Sequence, residues 1–343
     1  MKNSACPHFL KETCDLEKKL KIAAIGIGPV GTIFAAHLAK AGAEIIVTDL
    51  PHRIHQVREN GLLVQWGEKR MQYRVKCADS IRSLTDEHPD CIFIATKACI
   101  LPKILPDVAE AAKDDTHVLS VQNGIGTEDL IAQYVPPQNV CRMAVNYAGG
   151  NDDQGVTHVS WFNPPNYLGP LQGDADPRLI DLVEMLNSVG LTSELVDSLV
   201  IKKKVFLKTI LNAALMPPCA ILGITMKEAM EGKASRKLAE DLLKESLAVG
   251  SSLGYDYGEN IFNQCIAYLE KGGDHHPSMS VDLKNKLPTE IDFINGKILE
   301  LGLKFGVKEL HVTRVMVGLI MHREVMNGTR NHDDFPKHMS SVV

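Results

Sequence analysis

This sequence lacks a CxxC pair, a long apolar run near its N-terminus and any excess of basic residues. Its cysteines stand far apart in the chain, at Cys6, Cys14, Cys77, Cys91, Cys99, Cys141, Cys219 and Cys265. Because this spacing fits neither a paired motif nor a disulfide framework, we expect free thiols in a reducing cytoplasm. Charges run through the first twenty residues, so we expect neither secretion nor a membrane anchor.

Composition and charge exclude further classes. Apolar residues make up 45% of the 343 residues and charged residues 23%, which is typical of a globular protein rather than a disordered or fibrous one. The formal net charge of -5 argues against nucleic-acid binding, which usually requires a clustered basic surface. No partner cluster follows Cys6, His8 and Cys14, so we predict no metal site and interpret residues 1–20 as an N-terminal extension.

The order of apolar runs predicts a first domain over residues 21–195. An apolar run from Lys21, a glycine turn, a helical stretch over 32–41 and a second apolar run over 43–48 follow one another, as in a parallel βαβ unit. Similar short runs at 91–95 and 118–121 continue the alternation. The fold class is therefore α/β, with an N-terminal Rossmann-type doubly wound sheet.

The second part of the chain has a helical pattern. We interpret the runs 156–161 and 167–168 as antiparallel edge strands that close the sheet. The helices predicted beyond them lie at about 198–216, 233–253, 257–271 and 288–305. They predict an all-α substrate domain over 196–328, followed by a polar tail over 329–343.

A glycine motif opens the first predicted helix. Gly26-Ile27-Gly28-Pro29-Val30-Gly31 fits GxGxxG and stands directly between a predicted strand and a helix. The three glycines would permit the tight turn, the approach of a pyrophosphate and close packing of helix on strand. The helix N-terminus would supply N–H groups to the phosphates. The alternative is a tight βα turn without a ligand.

Asp49 ends the second predicted strand, where an acid commonly binds the adenosine ribose hydroxyls. A carboxylate there repels a 2′-phosphate, and Leu50 follows instead of an arginine. NAD is therefore favoured over NADP, although the nearby His52 and Arg53 leave NADP open. Asp49 could alternatively cap the following turn.

Lys208 is the one formal charge between Val205 and Met226. Because desolvating an ammonium is costly, a lysine among apolar residues is a candidate proton donor. Asn212 lies four residues later on the same helix face. The alternative is a lysine that extends to solvent beside the basic run 202–204.

Several motifs together resemble the ketopantoate reductase (2-dehydropantoate 2-reductase) family. They occur in the family's order over roughly residues 21–325 and comprise Thr96-Lys97-Ala98, Gln122-Asn123-Gly124-Ile125-Gly126, Lys208-Thr-Ile-Leu-Asn212, Ser278-Met279 and Thr289-Glu290-Ile291-Asp292-Phe293-Ile294-Asn295-Gly296. The resemblance implies NAD(P)H-dependent reduction of a 2-oxo acid, ketopantoate to pantoate in pantothenate biosynthesis, or of a close analogue.

The resemblance also implies roles for the catalytic side chains. Lys208 would protonate the ketone oxygen as hydride reaches C2. Glu290 would bind the distal hydroxyl of the substrate and help to hold the lysine, while Asn212 and Ser278 would orient the substrate. The simpler alternatives are a first-turn helix acid for Glu290 and a helix cap for Ser278.

Two further residues, Lys97 and Asn123, would stand at the nicotinamide side of the cleft by the same resemblance. The chain departs from the family at Met216, where a second asparagine is common, and at His311-Val312-Thr313, where the family commonly has a Pro-x-Asn element. A thioether in place of an amide removes a polar contact and enlarges the apolar wall of the substrate pocket.

These departures keep other functions open. One is an NAD-dependent D-2-hydroxyacid dehydrogenase for a bulkier, mandelate-type acid, which Asp49 and Met216 favour. Another is a non-catalytic nucleotide sensor, which would need neither Lys208 nor Glu290. In each case the partner is a small molecule, with no nucleic acid and no membrane, and a homodimer is compatible with the sequence.

Overall fold

The computed structural model describes residues 19–334. Most of the predicted N-terminal extension, including the Cys6 and His8 group, and the tail from residue 335 onward lie outside the described residues.

The N-terminal region contains two sheets with helices packed around them. The larger sheet consists of β1 (Lys21–Ile25), β2 (Glu44–Thr48), β5 (Lys76–Cys77), β6 (Cys91–Ile94), β7 (His117–Ser120), β8 (Val140–Ala144), β11 (Asn166–Pro170) and β12 (Ser193–Leu195). Their order in the sheet is β12-β11-β8-β7-β6-β1-β2-β5. The helices are α1 (Pro29–Lys40), α2 (Pro51–Asn60), α3 (Leu101–Ala111), α4 (Thr127–Ile131) and α5 (Pro177–Ser188).

Strand β1 shows why this sheet is covered on both faces. It pairs in parallel with β2 and β6, and its apolar residues alternate between two cores. Ile22 and Ala24 pack with residues of α1 such as Phe34, whereas Ala23 and Ile25 pack with residues of α3. Continuous apolar strands are expected where both faces of a parallel sheet are buried. The structure confirms the predicted doubly wound sheet.

The predicted edge strands were partly wrong. A second sheet consists of β3 (Leu62–Trp66), β4 (Lys69–Tyr73), β9 (Tyr147–Asn151) and β10 (Thr157–Phe162). Its order is β4-β3-β10-β9, so residues 157–162 pair antiparallel with β9 and parallel with β3 and do not belong to the larger sheet. Much of β10 remains exposed, which suits a sheet with one solvated face. Strand β11 is antiparallel to β8 as expected, but β12 pairs outside it.

The C-terminal region is helical throughout the described residues. Its helices are α6 (Ser198–Leu222), α7 (Met226–Glu231), α8 (Lys233–Ser252), α9 (Ile261–Leu269), α10 (Ser278–Lys284), α11 (Asn295–Lys304) and α12 (His311–Met326). The predicted helix over 288–305 was wrong at its start, because residues 291–294 form turns. The reason is that Glu324 and the Thr289 hydroxyl accept the N–H groups of Thr289 and Ile291 in this turn.

Helix α6 extends past its predicted end, through Pro217 and Pro218. A proline inside a helix has no N–H for the carbonyl four residues earlier. The Asn295 side-chain amide donates to the Ala213 carbonyl at 3.1 Å, which supplies the bond that Pro217 cannot make. By length and composition α6 is apolar enough to cross a membrane, but 61% of its most apolar window is buried inside the protein.

Candidate active site

The glycine motif forms the predicted turn between β1 and α1. Gly26 has a φ of 89°, and a Cβ added there would lie 2.8 Å from the Thr96 nitrogen. A Cβ at Gly31 would lie 2.0 Å from the Gly26 carbonyl oxygen. A Cβ at Gly28, by contrast, would meet nothing within 4 Å. The first and third glycines are therefore needed by the fold, and the second opens onto free space.

The N-terminus of α1 fits an anionic group. Its N-cap residue, Gly28, makes no side-chain cap hydrogen bond, Pro29 occupies the start of the helix, and the first turn contains no acid. The uncapped N–H groups of Val30 and Gly31 carry the positive end of the helix dipole. These residues, with Ile27, would hold the pyrophosphate of a dinucleotide.

Asp49 lies beside this loop. Its carboxylate oxygens accept hydrogen bonds from the backbone N–H of Ile27 and of Leu50, each at 2.6 Å. Leu50 is 60% exposed. The acid therefore connects the glycine loop to the end of β2. Its bond to the Leu50 N–H lies in the following turn, which agrees with the alternative interpretation of Asp49 as a cap of that turn.

Lys208 projects from α6 toward the N-terminal domain. Its ammonium donates to the Val145 carbonyl at 2.5 Å. Burial, assisted by the charge of Arg142, lowers the pKa of Lys208 from 10.5 to about 8, while Glu290 acts in the opposite direction. A partly buried, hydrogen-bonded amine of lowered pKa is suited to give and take a proton.

Glu290 lies in the turn before α11 and is 7% exposed. Its two carboxylate oxygens accept hydrogen bonds from the Ala98 N–H and the Asn123 side-chain amide, both at 3.1 Å. One sequence interpretation is therefore corrected. Glu290 is not a first-turn helix acid, because α11 begins at Asn295. Its carboxylate forms no ion pair with Lys208 among the described residues, but its charge raises the pKa of that lysine.

Lys97 also connects the two domains. Its ammonium forms an ion pair with Asp282 of α10, which is buried, and burial raises the pKa of that carboxyl. Sequence reasoning missed Asp282, although the acid stands four residues after Ser278 on the same helix. The predicted nicotinamide-side residues Lys97 and Asn123 are thus both bound by acids of the C-terminal domain.

The three predicted substrate residues have different surroundings. Asn212 is half-buried and its side chain makes no hydrogen bond within residues 19–334. Met216 lies in the core of the helical domain. Ser278 is exposed at the start of α10, where Pro277 is the N-cap and no side chain caps the helix. The helix-cap alternative for Ser278 was therefore wrong.

A buried arginine beneath this site was also missed. Arg142 stands in the middle of β8, with its side chain 4% exposed, 3.3 Å from the carboxylate of Glu128. It donates to the carbonyls of Ser120, Gln122 and Gly124. The available signal was a single charge within the apolar run 140–144.

Comparisons with known proteins agree with this arrangement. A family model described as "Ketopantoate reductase PanE/ApbA" matches residues 22–173, and one described as "Ketopantoate reductase PanE/ApbA C terminal" matches residues 200–324. A 2-dehydropantoate 2-reductase of Streptococcus pyogenes serotype M18 is 28% identical over 306 residues, covering 88% of this chain and 97% of the relative. One of Pyrococcus abyssi is 24% identical over 322 residues, covering 91% and 100%.

Solved structures share the fold. A ternary structure of D-mandelate dehydrogenase with NADH and anilino(oxo)acetate has a TM-score of 0.82 at 26% identity, covering 91% of this chain and 100% of the other. A PanE/ApbA family ketopantoate reductase from Ralstonia eutropha JMP134 has a TM-score of 0.80 at 22% identity, covering 90% and 100%. With both family models matched in order, the chain belongs to the ketopantoate reductase family.

Proposed function

We propose that this protein reduces a 2-oxo acid to a 2-hydroxy acid with a nicotinamide dinucleotide, with ketopantoate as substrate and pantoate as product. The observation that carries the proposal is Lys208, a partly buried amine that donates to the Val145 carbonyl and has a lowered pKa, at the junction between the glycine-loop domain and the helical domain. The named relatives from Streptococcus and Pyrococcus support the same reaction. In this proposal the cofactor supplies the hydride that is added to C2.

Lys208 would act on the oxygen of the reacting ketone. As C2 is reduced, negative charge develops on that oxygen, and a positioned ammonium both stabilises the charge and gives its proton. A pKa of about 8 leaves most of Lys208 protonated at neutral pH and makes it a stronger acid than a free lysine. Asn212, one turn later on α6, would donate its amide to the substrate.

We further propose that NAD is favoured over NADP. The carboxylate of Asp49 is fixed by two backbone N–H groups, so it cannot turn freely away from a 2′-phosphate. The exposed Leu50 offers no positive charge in compensation. The similar D-mandelate dehydrogenase structure contains NADH, which further supports this preference.

A second candidate is an NAD-dependent D-2-hydroxyacid dehydrogenase acting on a bulkier, apolar acid. Met216 favours it, because the residue one turn after Asn212 is buried with apolar neighbours and offers no amide to a substrate hydroxyl.

A nucleotide sensor is disfavoured, because Lys208 and Glu290 are both held at the junction. The six described cysteines are free, which supports a reducing, cytoplasmic location.

A substrate panel distinguishes these functions. Purified protein would be assayed with ketopantoate and with phenylglyoxylate, each with NADH and with NADPH. The proposal predicts the higher kcat/KM for ketopantoate with NADH. A higher kcat/KM for phenylglyoxylate would support the second candidate. If neither cofactor is oxidised with either substrate, the nucleotide-sensor function would be favoured.

A further inference from the structure

Arg142 is a charged residue in strand β8, whose other residues are apolar. Strand β8 lies between β7 and β11 and all of its residues are buried. Removing a guanidinium from water is costly unless partners replace the water. Glu128 supplies the opposite charge, at 3.3 Å.

The other partners of Arg142 lie at the end of β7 and in the loop that follows it. Its guanidinium donates to the Ser120 hydroxyl at 3.1 Å and to the Ser120 carbonyl at 2.9 Å. It also donates to the carbonyls of Gln122 and Gly124, the two residues that flank Asn123. A planar guanidinium can hold several acceptors at once, which a lysine cannot do in this geometry.

This loop presents Asn123 to the site. The Asn123 amide donates to Glu290, and the next residues of the loop meet the same turn. The Ile125 N–H donates to the Phe293 carbonyl at 2.8 Å, and a Cβ at Gly124 would lie 2.3 Å from the oxygen of that carbonyl. Arg142 thus binds the backbone of the loop through which the two domains contact each other.

Arg142 also acts on Lys208 through space. The charged groups that face the lysine are Arg142 from β8 and Glu290 from the turn before α11. The guanidinium lowers the pKa of Lys208, after burial as the larger cause, and the carboxylate raises it.

On the basis of the proposed function, we propose that Arg142, paired with Glu128, is a positioning residue of the reductase. It fixes the loop that carries Asn123, and it keeps a positive charge close to Lys208. The guanidinium is enclosed by protein, so both effects act through Asn123 and Lys208 and not by contact with the substrate.

Two variants separate the geometric effect from the charge effect. Arg142→Lys keeps the charge but loses the bonds to the loop, so kcat should fall about tenfold to a hundredfold, while the alkaline limb of kcat/KM stays at the wild-type pH. The double variant Arg142→Met with Glu128→Gln removes both buried charges together. Its alkaline limb should move to higher pH, because Lys208 then loses a cation that opposes its protonation.

Arg178→Met is the matched control. Arg178 lies in the same domain and binds Asp176 and the Asp115 carbonyl, away from the loop, so this variant should lose stability without moving the limb. The concentration of folded protein is measured by titration with NADH, and each activity is divided by this concentration. If the double variant fails to fold, the kcat of Arg142→Lys still tests whether Arg142 positions the loop.

The inference is overturned if Arg142→Lys keeps kcat within twofold of wild type, or if the double variant leaves the limb in place. Absence of 2-oxo acid reduction by the wild-type protein would instead contradict the proposed function. The wild-type assay therefore tests the proposed function, and the variants test the inference separately.

Discussion

The two parts of this site are built in different ways. The cofactor part is made from backbone close together in sequence, with open space at Gly28 and an uncapped helix N-terminus. The catalytic part is made from side chains far apart in sequence, with Glu290 bound to Ala98 and Asn123 of the other domain. A backbone site depends on local conformation. A side-chain site depends on the packing of two domains and on the charges buried between them.

The largest expected effect is in the catalytic part. Lys208→Ala should lower kcat by ~10² to 10⁴, the usual contribution of one general acid, while NADH affinity measured by fluorescence stays unchanged. Lys204→Ala is the matched control on the same helix, because that ammonium lies over the Tyr167 ring. If Lys208→Ala keeps more than about a third of wild-type turnover, the proton comes from another group.

The next effect tests the backbone part. Gly31→Ala should lower the free energy of unfolding by about 1–3 kcal/mol, because its Cβ would overlap the Gly26 carbonyl. Gly28→Ala should leave the denaturant midpoint unchanged but weaken dinucleotide binding. Equal stability losses in the two variants would contradict the open space at Gly28. Unchanged dinucleotide binding in Gly28→Ala would contradict the role of Gly28 at the cofactor.

A smaller effect concerns cofactor choice. The wild-type protein should favour NADH, and Asp49→Ala with Leu50→Arg should shift kcat/KM toward NADPH by about tenfold, or ~1.4 kcal/mol. Leu50→Arg alone serves as the control, since it keeps the Asp49 carboxylate. A wild-type preference for NADPH of tenfold or more would contradict the role given to Asp49.

The smallest effect concerns substrate choice. Met216→Asn should raise kcat/KM for ketopantoate relative to phenylglyoxylate by a few-fold, about 1 kcal/mol, the value of one hydrogen bond. Leu215→Met is a control at the neighbouring buried position. An unchanged ratio between the two substrates would remove Met216 from the pocket.

The same contrast explains what the sequence could predict. The glycine turn and Asp49 were predictable because strand, turn and helix follow one another directly. Lys208 was predictable because one charge in a long apolar helix is unusual. The bond from Ala98 to Glu290 and the pairing of Lys97 with Asp282 were not, because their partners lie 192 and 185 residues apart. Only the folded chain shows which loops reach them.

The structure also shows why element ends were misplaced. At Pro217 in α6, Asn295, far along the chain, binds the freed Ala213 carbonyl. The turn before α11 replaces a helix because Glu324 of α12 accepts its first N–H. Both are tertiary contacts that local propensity does not contain.

The most direct test of the account is the pH dependence of kcat/KM for 2-oxo acid reduction. Lys208 must be protonated to act, and its pKa is lowered to about 8, so the rate should be constant below this pH and fall as the pH rises through it. Lys208→Ala should retain only the residual rate, without this limb. A profile that stays flat to pH 10, or a limb that persists in Lys208→Ala, would contradict the assignment of Lys208 as the proton donor.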